Sequence, residues 1–93
     1  MTDVQTGTRT GIVVRVRYFA AARAAAGIDE EVLTPTAPTS IATLVNELSG
    51  RNAELARVLV RCSYLCDEVA VRDPELLLSS HHTLDVLPPF AGG

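Results

Sequence analysis

The stretch IVVRVRYF, residues 12–19, decides the fold that we predict for this chain. Every second residue is apolar or aromatic, and two arginines occupy alternate positions between them. A period of two is typical of a β-strand that has one face in the core and the other toward solvent. The residues of the inward face are Ile12, Val14, Val16 and Tyr18.

The segments that follow predict a short helix and a second strand. AAARAAAG, residues 20–27, combines high helix propensity with a glycine that stops the helix. Residues 31–34 have the length and composition of a strand, which the proline-containing segment TPTAPTS, residues 34–40, closes. Within that segment, Thr39 or Ser40 is suited to cap a helix that begins next.

The clearest helix begins after this cap. Four apolar residues recur at the spacing expected of a helix that lies across a sheet, namely Ile41, Leu44, Val45 and Leu48. Gly50 follows as a stop signal. A shorter helix is predicted between the candidate cap Asn52 and Cys62, and its apolar side contains Leu55, Val58 and Leu59.

The second half of the chain predicts three more strands. Two short ones, residues 63–66 and 69–72, are separated by Asp67-Glu68 in a turn position. The last strand precedes Pro88-Pro89 and directs Leu84 and Val86 inward. This order predicts an α+β domain with a mixed sheet folded over one main helix. The first and last strands are the longest, so we expect them side by side in the middle.

Size and charge narrow the classes of function. With 93 residues the chain forms one domain that is too small for a spacious enzymatic cleft, which favours a carrier or binding module. The net charge of -3 argues against a nucleic-acid partner, and no apolar run approaches the roughly 20 residues that span a membrane. Residues 1–11 lack the features of a secretory signal, so we expect a cytoplasmic protein. We also expect this segment to be disordered.

The cysteines and histidines do not predict a metal site. In an extended segment, Cys62 and Cys66 would lie about 13 Å apart, which is too far for a disulfide. A zinc site would also recruit His81 and His82, but adjacent histidines lack the spacing that turns both rings toward one ion. We expect Cys66 to pack in the core, Cys62 to lie near the end of an element, and the histidines to occupy a turn.

The sequence closes on LPPFAGG, residues 87–93. Pro88 and Pro89 cannot donate to a β-ladder and favour a stiff extended conformation, so we expect them to lead a flexible tail, residues 90–93, away from the domain. Gly92 and Gly93 have no Cβ atoms, which suits passage into a partner's active site. Phe90 is equally compatible with a lid on the core and with a docking anchor.

A carboxylate at Gly93 would need activation, because it is ionised at neutral pH and is a poor electrophile. Adenylation would give a mixed anhydride that a sulfur or an amine nucleophile can attack. The product would be a thiocarboxylate, which carries sulfur, or an amide, which attaches the chain to another protein. All eight basic residues are arginines, so the chain offers no lysine for attachment to its own copies.

Three segments together resemble the small subunits of molybdopterin synthase, which are ubiquitin-like sulfur carriers of β-grasp fold. They are VRYFAAARAAAG near the start, the amphipathic helix after Ser40, and LDVLPPFAGG at the end. The resemblance implies a β-grasp domain over residues 12–89, in which a mixed five-stranded sheet packs on one main helix. Two turns depart from the family pattern. His81-His82 replaces a usual Gly-Asp turn, and a common Asn is replaced near Asp67.

The resemblance also implies a function. An ATP-dependent activating enzyme would adenylate Gly93, and a sulfurtransferase would supply sulfur for a thiocarboxylate. The large subunit of the synthase, which would contribute the catalytic side chains, would take up the tail and use sulfur from two carriers to build the dithiolene of molybdopterin on a cyclic pyranopterin. The carrier itself would bind no cofactor and would form a heterotetramer with the large subunit. The residues expected to contact these partners are Pro88, Pro89, Phe90, Ala91 and Gly92.

Other functions remain open at this point. The same tail chemistry would serve a carrier for thiamine, cysteine or another thio-metabolite, or a ubiquitin-like modifier that forms amides with proteins. A plain interaction domain with an inert tail is a further alternative. An independent enzyme is least favoured, because the cysteines and histidines have no serine, acid or glycine-rich loop at a spacing that would complete a catalytic site.

Overall fold

In the computed structural model, which describes residues 10–89, the chain forms nine strands and three helices. In chain order they are β1 (Thr10–Gly11), β2 (Val14–Tyr18), α1 (Ala20–Ala26), β3 (Glu30–Leu33), β4 (Thr36–Ala37), β5 (Thr39–Ser40), α2 (Ile41–Ser49), α3 (Ala53–Leu59), β6 (Ser63–Cys66), β7 (Val69–Ala70), β8 (Leu77–Leu78) and β9 (His82–Leu87). No helix of this part of the chain has the length and apolar character needed to cross a membrane.

The main sheet is mixed and has five strands in the order β3-β2-β9-β6-β7. Strands β2 and β9 run parallel, with Val16 opposite Leu84, and the other neighbouring strands are antiparallel. The predicted central pairing of the first and last long strands is therefore confirmed. The short strands form two further pairs, β1 with β4 and β5 with β8.

The helices cover one face of this sheet. Apolar residues of the two central strands and of the helices belong to a single buried cluster, which includes Val14, Val16, Leu84 and Val86 from the strands and Ala22, Leu44, Leu48, Leu55 and Leu59 from the helices. The predicted alternation in β2 is confirmed, since Val14 and Val16 are fully buried while Arg15 between them is exposed. A mixed five-stranded sheet with helices on one face is the arrangement of a β-grasp domain.

The helices begin at the predicted caps. The Ser40 side chain accepts a hydrogen bond from the amide of Thr43 at 3.0 Å, and the Asn52 side chain accepts one from Leu55 at 2.7 Å. Each bond satisfies an amide that has no partner within the first turn. At the other end of α1, Gly27 has a φ of 81°, a left-handed conformation that glycine adopts without strain.

Two predicted strand boundaries are wrong by one or two residues. Strand β3 begins and ends one residue earlier than predicted, and β7 ends at Ala70 instead of Arg72. The amide of Val71 still donates to the carbonyl of Tyr64 at 2.9 Å. The chain then enters Asp73-Pro74, where proline has no amide hydrogen with which to continue a ladder.

The prediction for the start of the chain also needs correction. Thr10 and Gly11 were expected within a disordered segment, but they pair with Ala37 and Thr36 of β4. The turn-rich segment around Pro38 returns a short strand to them, a long-range pairing that a local pattern does not reveal. The remainder of the predicted disordered segment, residues 1–9, lies outside the described residues.

The expectation that both histidines occupy a turn is wrong for His82. His82 is the first residue of β9 and lies opposite Val14, and its amide donates to the carbonyl of Val13 at 3.0 Å. His81 precedes the strand, and its Nδ1 accepts a hydrogen bond from the amide of Val13 at 2.8 Å. The parallel pairing with β2 therefore extends the strand back to a residue that the sequence pattern assigned to the turn.

A bidentate ion pair joins the two central strands on the outer face of the sheet. Asp85 is only 4% exposed, and its Oδ1 and Oδ2 accept hydrogen bonds from Nε and Nη2 of Arg17 at 2.7 and 2.9 Å. The hydrogen bond and negative charge of Asp85 raise the pKa of the Arg17 guanidinium above its ordinary value. The same guanidinium lies 5.6 Å from the ring centre of Phe19, a cation–π distance.

A second polar network ties the sheet to the loop between α2 and α3. The hydroxyl of Tyr18 donates to Oε2 of Glu31 at 2.6 Å, and Arg51 Nη2 lies 2.8 Å from Oε1 of the same carboxylate. Burial and the hydrogen bond to Glu31 raise the pKa of Tyr18 above its ordinary value. Burial also raises the pKa of Tyr64, whose hydroxyl donates to the carbonyl of Leu59 at 2.9 Å.

These two tyrosines are the only ones in the sequence, so a spectroscopic titration should report them cleanly. Because the folded state favours the neutral phenols, their contribution to stability should be complete below the ordinary tyrosine pKa of about 10 and should be lost as the pH rises toward the higher folded values. We expect tyrosinate absorption to develop above pH 10 together with loss of the circular dichroism signal. Ionisation near pH 10 in a chain that stays folded would contradict this prediction.

The ion pair of Arg17 and Asp85 should matter more to stability than an exposed pair. Asp85→Asn removes the charge of a nearly inaccessible side chain and leaves Arg17 without its counterion. We expect the loss in free energy of unfolding, measured with urea, to be several times that caused by Glu54→Gln. This control breaks the exposed pair of Glu54 and Arg57, whose N···O distance is 2.8 Å, and should cost less than about 0.5 kcal/mol. Equal losses in the two variants would contradict the prediction.

Candidate functional site

The candidate site begins where β9 leaves the sheet. The strand ends at Leu87, and Pro88 and Pro89 follow without regular structure, the first half-buried and the second exposed. The prediction that the prolines end the last strand is confirmed. The remaining predicted site residues, Phe90, Ala91, Gly92 and Gly93, lie outside the described residues.

The base of the tail is held firmly because β9 is paired with β2 as far as Val86 and with β6 as far as its last residue, Leu87. Leu87 is opposite Ser63 of β6, and Val86 is opposite both Tyr18 of β2 and Tyr64 of β6. The carbonyl of Val86 also accepts a hydrogen bond from the amide of Phe19 at 3.3 Å. Backbone hydrogen bonds on both sides therefore fix the point at which the prolines leave the domain.

An open groove of about 580 Å³ lies beside the two prolines. One wall combines the apolar side chains of Val58 and Val60 with three charged ones from α3 and its end, and the lining charged residues are Glu54, Arg57 and Arg61. Val60 is 85% exposed, the highest fraction among the exposed large apolar side chains of the described residues. A combination of exposed apolar and charged side chains is typical of a surface that contacts another protein.

This groove offers docking contacts and lacks the groups for catalysis. Among the described residues that line it, the ionisable side chains are one glutamate and two arginines, and Arg57 is already paired with Glu54. No nucleophile, imidazole or paired carboxylate accompanies them in the lining of this groove. The surroundings of the tail base can therefore position a partner, while chemistry at the tail would need groups from that partner.

A second groove, of about 410 Å³, is lined mainly by residues of α2 and of the segment after α3, and it contains one cysteine. The Sγ of Cys62 donates to the carbonyl of Val58 at 3.3 Å, and burial raises the pKa of its thiol. A protonated and hydrogen-bonded thiol is a poor nucleophile. The expected position of Cys62 near the end of an element is confirmed, since α3 ends three residues before it.

Of the four residues considered for a zinc site, the structure brings two together and keeps two apart from them. His81 and Cys62 are engaged elsewhere, as described above, but Cys66 and His82 approach each other and are joined by Asp67. Burial and the charge of Asp67 raise the pKa of the Cys66 thiol, and it packs only partly against the core. The hydrogen bonds from the Thr83 amide and the His82 ring lower the pKa of Asp67. The sequence reasoning missed Asp67, because only the register of β6 on β9 brings the three together.

Comparison with known proteins places these features in one family. Residues 16–93 match the model of the ThiS family. A relative from Mycosarcoma maydis, a molybdopterin synthase sulfur carrier subunit, is 35% identical over an alignment of 88 positions that covers 86% of this chain and 92% of the relative.

Solved structures show the same fold at lower identity. The small archaeal modifier protein 1 of Methanosarcina acetivorans superposes with a TM-score of 0.75 at 23% identity, covering 90% of this chain and 99% of that one. A chain in the complex of subunits 1 and 2 of the molybdopterin-converting factor from Helicobacter pylori gives a TM-score of 0.66 at 17% identity, covering 88% of this chain and 100% of that one. With its ubiquitin-like β-grasp fold and this match over most of its length, the chain belongs to the ThiS family and is a homologue of molybdopterin synthase sulfur carrier subunits.

Proposed function

We propose that the chain is a sulfur carrier that acts as the small subunit of molybdopterin synthase. The observation that carries the proposal is the base of the tail. A central strand held on both sides ends in Pro88-Pro89 at the surface, and the sequence continues into Phe90 and then Gly92-Gly93. The 35% identity to a sulfur carrier subunit supports the same function.

In the proposed reaction, the carboxylate of Gly93 attacks the α-phosphate of ATP on an activating enzyme. Pyrophosphate leaves, and an acyl-adenylate forms. Sulfide supplied by a sulfurtransferase then attacks the carbonyl carbon, AMP leaves with the bonding electrons of the C–O bond, and a thiocarboxylate results. The carrier contributes the reacting carbonyl group at Gly93 and brings it to the activating enzyme, which binds and uses the ATP.

The large subunit of molybdopterin synthase is the proposed acceptor of this sulfur. Gly92 and Gly93 would enter its active site because a chain without Cβ atoms passes a narrow channel. Pro88 and Pro89 would keep the domain at a set distance, and Phe90 and Ala91 would contact the channel's entrance. Two carriers, one for each sulfur of the dithiolene, would serve two large subunits in a heterotetramer that modifies a cyclic pyranopterin.

A second candidate function is that of a protein modifier, which the likeness to the small archaeal modifier protein favours. The activated tail would then form an amide with a lysine of another protein. Since all basic residues of this chain are arginines, its own copies cannot be the target through lysine side chains. The two functions share the adenylate and differ in the nucleophile that follows it.

Incubation with a competent activating enzyme, ATP and a sulfide donor should replace one terminal oxygen by sulfur, detected as a change in intact mass. Deletion of Gly92-Gly93 should abolish this change while the circular dichroism spectrum stays the same. A Cys62→Ser, Cys66→Ser double variant serves as a matched control. It should react fully, because the sulfur is expected at the C-terminus and not as a persulfide on a thiol.

Two results would contradict the carrier function. One is an unchanged mass in the presence of an activating enzyme that accepts a known carrier. The other is amide formation in place of the thiocarboxylate, which would establish the modifier function. Because Arg72 is the last basic residue, trypsin would leave residues 73–93 on the modified lysine, and this large remnant is the species to search for.

A further inference from the structure

Three side chains with metal-binding atoms meet at the end of the sheet away from the tail. Cys66 ends β6, Asp67 opens the turn toward β7, and His82 begins β9. One sulfur, one carboxylate oxygen and one ring nitrogen from these residues all lie within 4.8 Å of one another. Cys66 and Asp67 are consecutive in the sequence, and the pairing of β6 with β9 brings them to His82.

Asp67 is held in place by the backbone of β9. Its φ is 51°, in the left-handed region, and its amide donates to the carbonyl of Thr83 at 2.8 Å. Its Oδ1 accepts a hydrogen bond from the amide of Thr83 at 2.9 Å. With one oxygen fixed in this way, Oδ2 faces the ring of His82 and lies 2.5 Å from Nδ1.

The ring of His82 is oriented from its other side. Its Nε2 lies 3.1 Å from Oγ of Ser80, and its backbone is paired with Val13. Histidines that bind metals commonly have their second nitrogen hydrogen-bonded, which sets the orientation of the ring. Nδ1 is therefore directed toward Asp67 by contacts that do not involve that residue.

Cys66 completes the set because of the strand register. It lies opposite Leu84, and His82 is two residues before Leu84 on the same face of β9. The side chain of His82 is 20% exposed and that of Asp67 is 50% exposed, so the cluster opens to solvent at the edge of the core. An ion could enter from this side and keep water in its remaining coordination position.

We propose that Cys66, Asp67 and His82 bind a single zinc ion, with solvent as the fourth ligand. A thiolate, an imidazole and a carboxylate are the three side-chain types that bind zinc. A tetrahedral ion with bonds of about 2.0 to 2.3 Å requires ligand atoms roughly 3.3 to 3.6 Å apart. The oxygen and nitrogen must separate by less than about 1 Å from their hydrogen-bonded distance, and the hydrogen between them must leave.

The electrostatics also fit a divalent cation. Binding would release the proton of the Cys66 thiol to solvent, and the resulting thiolate and the Asp67 carboxylate would carry two negative charges, which an ion of charge +2 would balance. The thiol sulfur favours zinc over magnesium or calcium, because those ions prefer oxygen ligands alone.

This site lies at the opposite end of β9 from the tail. Five residue steps separate His82 from Leu87, which corresponds to roughly 17 Å along the strand. The zinc proposal therefore does not rest on the carrier function, and either one can fail without the other.

The test uses the full chain and cobalt as a spectroscopic probe for the zinc site. Addition of Co²⁺ should produce a sulfur-to-cobalt charge-transfer absorption in the near ultraviolet, and Zn²⁺ should displace it. Cys66→Ser should lose this band, and His82→Asn should bind at least tenfold more weakly. Cys62→Ser is the matched control, since it removes the other thiol and should leave the band unchanged.

Thermal unfolding gives a second measurement that does not depend on the cobalt absorption band. Zinc at a hundred times its dissociation constant should raise the unfolding midpoint of the native chain and of Cys62→Ser by about 14 °C, and should leave that of Cys66→Ser unchanged. Circular dichroism of each variant without metal checks that it is folded. The proposal is overturned if folded native chain shows no thiolate band, or if the two cysteine variants respond alike.

Discussion

The structure depends on the parallel pairing of β2 with β9 at the centre of the main sheet. This pairing joins residues 14–18 to residues 82–86, which are close to opposite ends of the chain. Both strands direct fully buried valines and leucines to the same core, where the helices cover them. Because a parallel pair cannot be joined by a tight turn, the three helices and every other described strand except β1 lie in the connection between the two.

Polar contacts reinforce this central pair at points where apolar packing alone would leave it free to shift. Asp85 on β9 binds Arg17 on β2 through two hydrogen bonds on the outer face, where it is shielded from water. Tyr18, Glu31 and Arg51 connect the end of β2 to the next strand and to the helical layer. A one-residue shift in register would break the ion pair and expose the buried valines, so both kinds of contact select the same alignment.

Because β9 is paired on both sides, it fixes the positions of the residues at both of its ends. At the carboxyl end, the strand runs into Pro88 and Pro89 beside a groove whose lining contains apolar and charged side chains but no nucleophile or imidazole. A carrier whose reactive atom belongs to its own backbone has no need of an active-site cleft, which agrees with the small size of the domain. At the amino end, the same strand presents His82 and holds Asp67 through Thr83.

Much of this protein follows from its sequence alone. The alternation in IVVRVRYF, the helical spacing of Ile41 to Leu48 and the caps Ser40 and Asn52 are local patterns, and local sterics and hydrogen bonding decide them. The composition of LPPFAGG predicts an extended exit at the prolines and a narrow end at Gly92-Gly93, and this part stays a prediction. The tertiary structure alone decided the strand formed by Thr10 and Gly11, the place of His82 in β9, and the approach of Cys66 and Asp67 to that ring. These depend on pairings between residues far apart in the chain, and a register between distant strands is fixed by the sum of their packing, which no short segment contains.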